Sequence, residues 1–463
     1  MSSDEFANSL IAWIPDLLYA GGRFQPGSAL VCAASGEIVK VARVEELTHE
    51  KRINLARRAL LPGMVNAHSH AFQRVIRGRT EHRTADQKDS FWTWRELMYS
   101  AATRLTPEDI YDTSRMAFLE MALAGITAVG EFHYLHQGPD GKAYDDPNLL
   151  AHEVIRAARE VGLRIALLRV AYGRSGFQTE VNPRQARFIE SDPDTYLNNL
   201  EALLQATVSK PNHALPDGRA SDTVWVGVAP HSVRAVPLAY LREVIDHATR
   251  HDLKIHMHVA EQPAEVSACV EEYGRTPIAL LESEGLLSEN FTAVHAIHVT
   301  PKAIASFAQT GALVCACPTT ERNLGDGVVP ADEYLKQNVP VCLGTDGQAQ
   351  IDLLEDAREL EYHLRLQKLE RAVLTRGAPR AAGAGASELA ELLFDCATIN
   401  GARSIGAPAG TLASGKPADF FTIDLDDPSI AGASADDLLP HIVFTLSRAA
   451  VREVVVAGKP IVS

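Results

Sequence analysis

The sequence predicts an α/β fold, a TIM-type (β/α)8 barrel with a small β domain formed by the N- and C-terminal flanks. Three observations predict it. Short β-branched or apolar runs punctuated by helical stretches recur from about residue 59 to 400, the alternation of a parallel β/α architecture. Polar and ionisable residues collect at the C-terminal ends of these runs, where such barrels assemble their sites. Residues 9–58 and 409–463 both read as short strands with turns, so the two flanks can pair into one sheet.

The runs number eight, one per barrel strand. In order they are ALLPGMVNAHSH (59–70), ITAVGEFHY (126–134), LRIALLRVAY (163–172), VWVGVAPHS (224–232), LKIHMHVAE (253–261), FTAVHAIHV (291–299), GALVCACP (311–318) and VPVCLGTD (339–346). The expected division is a catalytic barrel over 59–400 and a β-sandwich-like domain over 1–58 and 401–463. The stretch RGAPRAAGAGASE (376–388), rich in small residues, reads as a flexible connection before the next helix. A chain of 463 residues is long enough for one such barrel with insertions.

Composition narrows the function. With 44 basic against 59 acidic residues the net charge is −15, which opposes nonspecific nucleic-acid binding. No apolar run is long enough to span a membrane, and the acidic start MSSDEFANSL lacks the basic region of a secretory signal, so a cytoplasmic protein is expected. The six cysteines are scattered and read as buried core thiols.

The chemistry sits at the strand ends. His68 and His70 stand two apart, and the strand period of two points both imidazoles to one face. His258, in HMHVAEQ, supplies a third nitrogen and precedes Glu261 by three residues. His295 ends the sixth run and Asp346 the eighth. Nothing in barrel packing requires His, His, His, Glu, His and Asp at four barrel-strand ends, so the pattern points to a metal site. These donors suit Zn2+, and Fe2+ or Mn2+ would also be accepted. Such an ion lowers the pKa of a bound water from 15.7 toward ~7. Asp346 can then take the water's proton, Glu261 can carry protons to a departing nitrogen, and His295 can polarise the substituent of the attacked carbon. His256 shares the face of His258 but lacks the offset to Glu261, so it reads as core or as support behind the ligands.

LPGMVNAHSH, HMHVAEQ, AVHAIH, CPTTERNLGDG and LGTD together resemble the deaminase branch of the amidohydrolase superfamily, over essentially the whole chain. HSHAFQRVIRG, DSFWTWRELMY and HSVRAV are similar, more narrowly, to the N-formimino-L-glutamate deiminase family of histidine degradation. The resemblance implies a mononuclear site with His68, His70, His258 and Asp346 as ligands, and Glu261 and His295 in the roles above. It implies a substrate pocket using Gln73, Arg95, Tyr134, His231 and Arg234, and a homodimer, common in the superfamily. Binuclear relatives carry a carboxylated lysine on the fourth strand, which here ends APHS without one. Gly347 stands where serine is expected after the aspartate.

Such a substrate carries two carboxylates, which a chain of net charge −15 must meet with local cations. Arg95 and Arg234 are the candidates, since a guanidinium holds a carboxylate through two parallel bonds. The alternatives are a deaminase of a purine or pterin ring, which needs stacking aromatics, and an inactive barrel serving in assembly. Phe91, Trp92 and Trp94 read here as helix packing, or as a lid that excludes water.

Overall fold

The computed structural model describes residues 10–82, 90–179, 182–209, 223–375 and 385–463. Most of the small-residue connection, 376–384, lies outside the described residues, and 385–388 opens the helix Gly385–Ala397. Five strands precede the barrel: β1 (Leu10–Ala20), β2 (Arg23–Pro26), β3 (Ser28–Ala33), β4 (Ile38–Arg43) and β5 (Lys51–Pro62). The barrel strands are β6 (Met64–Ser69), β7 (Ile126–His133), β8 (Arg164–Ala171), β9 (Val224–Pro230), β10 (Ile255–Val259), β11 (Phe291–His295), β12 (Leu313–Ala316) and β13 (Val341–Leu343). Three more follow it: β14 (Phe420–Asp424), β15 (Val451–Val456) and β16 (Lys459–Val462).

Each of the eight runs contains one barrel strand, and these pair in sequence order as one parallel sheet. A parallel bridge between Ser69 and Asp346 brings the last strand back to the first. β6, β7 and β8 are buried at every residue because one face fills the barrel and the other meets helices. The helix Leu149–Val161 shows how the outer layer forms. Its buried Leu150, Ala151, Val154, Ile155 and Ala158 fall on one face at helical spacing, and Gly162 ends it in the left-handed region, φ 92°.

The flanks join in one mixed sheet of order β16-β15-β14-β5-β1-β3-β4, with β2 on β1. It curls around a core of Trp13, Leu30, Ile38, Leu60, Phe420 and Val455. At the curl the turns meet so closely that a Cβ on Gly36 would lie 1.9 Å from the Ala457 carbonyl oxygen. The expected first barrel run divides in two. Residues 59–62 end β5 and pair with β14, and the chain enters the barrel only at Met64. Gly63 makes the step, since a Cβ there would stand 2.2 Å from Thr127 Oγ1. The helix Ile399–Ile405 packs on the barrel rather than in the flank sheet, with Gly401 set against Val65.

Arg164, at the start of β8, ties barrel to flank sheet. Its Nε donates to Asp419 Oδ2 at 2.5 Å and its Nη2 to Oδ1 at 3.1 Å, with both side chains fully buried. Loss of one partner from such a pair costs about 3–5 kcal/mol, because it strands a buried charge. All six cysteines are buried, and none of them forms a disulfide. Among the described residues no helix is long and apolar enough to cross a membrane.

Candidate active site

β6 ends in His68-Ser69 with His70 just beyond it, and the chain is held there by bonds to neighbouring strands. His70 N donates to the Asp346 carbonyl and Asp346 N to the His68 carbonyl, each at 3.0 Å. Asn66 and Thr345 bond each other through Asn66 Nδ2 to Thr345 Oγ1 (2.8 Å) and Thr345 N to Asn66 Oδ1 (3.0 Å). Gly344 lets the strands meet, since a Cβ there would press to 2.7 Å from that of His68. Ala260, His295, Ala296 and Asp346 all adopt positive φ without being glycine, so backbone strain gathers at the strand ends that bear the chemistry.

Four donor atoms converge in this corner. The Nε2 atoms of His68, His70 and His258 stand 3.2–3.3 Å apart, and Asp346 Oδ1 lies 3.4 Å from His68 and 3.2 Å from His70. Four donors around an ion about 2.0 Å from each leave separations of this size, so the cluster fits a divalent metal. Nδ1 of His70 faces the Phe132 carbonyl at 2.9 Å, and Nδ1 of His258 faces that of His231 at 3.1 Å. Each carbonyl takes the Nδ1 proton and leaves the Nε2 lone pair toward the centre. Burial disfavours charge on two of the rings, pushing His68 down to about 3 and His258 well below its usual range. Burial would raise the Asp346 carboxyl, but bonds with His68 and His70 outweigh it and hold Asp346 well below the usual carboxylate range.

Glu261 and His295 face each other beside this cluster, Oε1 to Nε2, at 3.6 Å. Burial raises the Glu261 carboxyl. Burial also works against a charged His295, yet Glu261, Glu321 and Asp346 lift it to about 10. Glu321 holds the ring from behind: its Oε1 lies 3.2 Å from His295 Nδ1 and accepts from Cys317 N at 2.8 Å.

The cluster opens into a cavity whose wall includes Gln73, Arg95, Tyr134, His231 and Arg234. Gln73 Nε2 donates to Tyr134 Oη at 2.8 Å, and its buried Oε1 has no partner. A Cβ on Gly347 would approach that oxygen to 3.1 Å, so the missing serine leaves Gln73 room. Arg95 lies over the Trp92 ring at 4.5 Å, and its Nε is buried without a partner, as is Arg234 Nη1. Burial and the charge of Arg234 both lower Arg95. The expectation for the aromatic group needs correction. Phe91 and Trp94 line the cavity with Tyr99 and Tyr172, so the helix Phe91–Ala102 turns rings to the site as well as to its packing.

His256 is fully buried but bonds the Ser404 carbonyl at 3.1 Å, away from the four donors. Sequence reasoning missed Glu321, Glu131 and Gln348. Glu131 accepts from Ser69 Oγ at 2.6 Å and Ala71 N at 2.7 Å, and Gln348 Nε2 donates to Ser69 Oγ and the Asp346 carbonyl, both at 2.9 Å. All three lie inside or beside the noted motifs, but only their neighbours in space reveal what they brace.

A TIM-type barrel with this donor set and an adjoining acid at its C-terminal mouth defines a metal-dependent hydrolase. Residues 59–461 match the amidohydrolase family, and the chain belongs to it. The narrower resemblance is borne out by 38% identity over 405 residues to the formimidoylglutamate deiminase of Pseudomonas aeruginosa, covering 87% of this chain and 84% of that protein. The chain is also 28% identical over 451 residues to a 5-methylthioadenosine/S-adenosylhomocysteine deaminase of Haloarcula marismortui, covering 96% and 92%. Among solved structures, an amidohydrolase from Brucella melitensis is 31% identical with a TM-score of 0.84, covering 98% of this chain and 94% of that one. Relatives of two substrate types support a deaminase and leave its substrate to the pocket.

Proposed function

We propose that the protein hydrolyses N-formimino-L-glutamate to N-formyl-L-glutamate and ammonia. The observation that carries this reading is the pair of guanidiniums lining one cavity, the half-buried Arg95 and the buried Arg234, each with a buried N–H lacking a partner. Two cations this close disfavour each other until an anion enters. A small dicarboxylate supplies one carboxylate for each, and charge-assisted bonds contribute about 1.5–3 kcal/mol apiece. The resemblance to the Pseudomonas deiminase supports the same substrate.

In this reading His68, His70, His258 and Asp346 hold one divalent ion, zinc by preference, with iron(II) or manganese(II) also suited to the donors. When bound, the ion supplies Lewis acidity and lowers the pKa of water from 15.7 toward ~7. Asp346 takes the proton of the attacking water as its oxygen bonds to the formimino carbon. The C=N bond opens to a single bond as Glu261 protonates that nitrogen; Asp346 then passes it the water's proton while the new hydroxyl gives its own back to Glu261, and the C–N bond breaks to leave the formyl carbonyl and ammonia. His295, fixed by Glu321, polarises the substituent of that carbon. The protein is read as a cytoplasmic homodimer acting on a small anion, without a nucleic-acid partner.

The aromatic wall favours a second reading, deamination of a heteroaromatic ring. Ammonia release by the zinc-loaded protein from N-formimino-L-glutamate, run beside guanine, cytosine and a pterin, separates the two. Ammonia from the formimino compound alone supports the first, and activity only on a ring overturns it while keeping the metal site. Arg234→Ala is expected to raise KM about ten- to hundredfold, the loss of roughly one charge-assisted bond. Bound metal should stay at the wild-type level. Equal loss of metal would make the arginine structural.

A further inference from the structure

Away from the barrel mouth, a second cluster of ligating side chains stands on the outer layer. The helix Pro193–Ser209 contributes Glu201, and the helix Leu238–Arg250 contributes His247 and, at its C-cap, His251. Ligand atoms of all three lie within 4.8 Å of one another. Glu201 Oε1 is 3.3 Å from His247 Nε2, the separation of two donors about 2.0 Å from one centre.

His247 is only 6% exposed, and its Nε2 is buried without a hydrogen-bond partner, because Glu201 is close but not aligned. A buried polar nitrogen left this way costs free energy that a ligand can recover. The His247 and His251 rings stack at 4.3 Å with their planes 20° apart. Two protonated rings would repel each other there, although a helix C-terminus welcomes one cation. Rings one turn apart on one helix face have the i, i+4 spacing by which paired histidines share an ion.

We propose that Glu201, His247 and His251 form a second metal site, separate from the catalytic cluster, for a borderline divalent cation of the zinc, nickel or copper class. Two imidazoles and a carboxylate are the donors such ions select, and three protein ligands leave a position for solvent. The ion fastens the helix before β9 to the helix after it. It stabilises the fold by mass action, since the unfolded chain holds no such arrangement.

The test counts metal. Holoenzyme dialysed against micromolar zinc is expected to carry two zinc ions per chain, and His251→Ala one, with ammonia release unchanged. Glu201→Gln should match it, and zinc should raise the melting midpoint of the wild type more than that of either variant. His251 is exposed, so its replacement leaves the core untouched. One ion in the wild type, or two in both variants, overturns the proposal. His258→Ala separates the two sites: it should also carry one ion, but without turnover. A wild type whose single ion disappears in that variant removes the outer site and keeps the inner one.

Discussion

His258→Ala is expected to leave the barrel folded, empty its metal site and abolish turnover. His258 Nε2 stands 3.2 Å from that of His68 and 3.3 Å from that of His70, so its loss removes one of four converging donors. Among the described residues, the two nearest spare imidazoles are already engaged. His256 is bonded to Ser404 and His231 faces Ser232 Oγ at 3.2 Å, and freeing either would expose a backbone or hydroxyl partner in the interior. Metal analysis of the purified variant, with far-ultraviolet circular dichroism as the check on folding, decides it. A full complement of metal would move the ligand elsewhere on β10.

Glu261→Gln should act on rate alone. The amide keeps the shape of the side chain and none of its four neighbouring donors is touched, so bound metal is expected to match the wild type. What is lost is proton delivery beside His295, and removal of a general acid or base slows turnover about 10²- to 10⁴-fold. Near-normal kcat with full metal would refute the assigned role. A fall in metal equal to the fall in rate would assign Glu261 to holding the site.

Much of this arrangement was legible because strand ends are local. A run of β-branched residues ending in a histidine announces both the strand and the position of the side chain, and the eight runs each delivered one barrel strand. Period-two alternation likewise brought His68 and His70 to one centre. What stayed hidden depends on neighbours distant in sequence. Glu321 reads as a helix residue until its oxygen is found behind His295, and Glu131 reads as a strand residue until it caps the loop after His70. Phe91 and Trp94 misled because the same spacing serves packing and cavity lining, and only the placement of the helix over the mouth decides between them. The boundary at Gly63 was obscured for a related reason: the apolar run continues through two sheets without a change of composition.

The position of β14 beside β5 has a consequence for how the chain is made. Pro62 through Arg58 find their partners in Phe420 through Asp424, so one edge of β5 has no mate until a strand that follows all eight barrel strands has been made. Until then the nascent protein carries an unsatisfied strand edge, the feature that invites association with other chains. The flank sheet can therefore be completed only after all eight barrel strands have been translated.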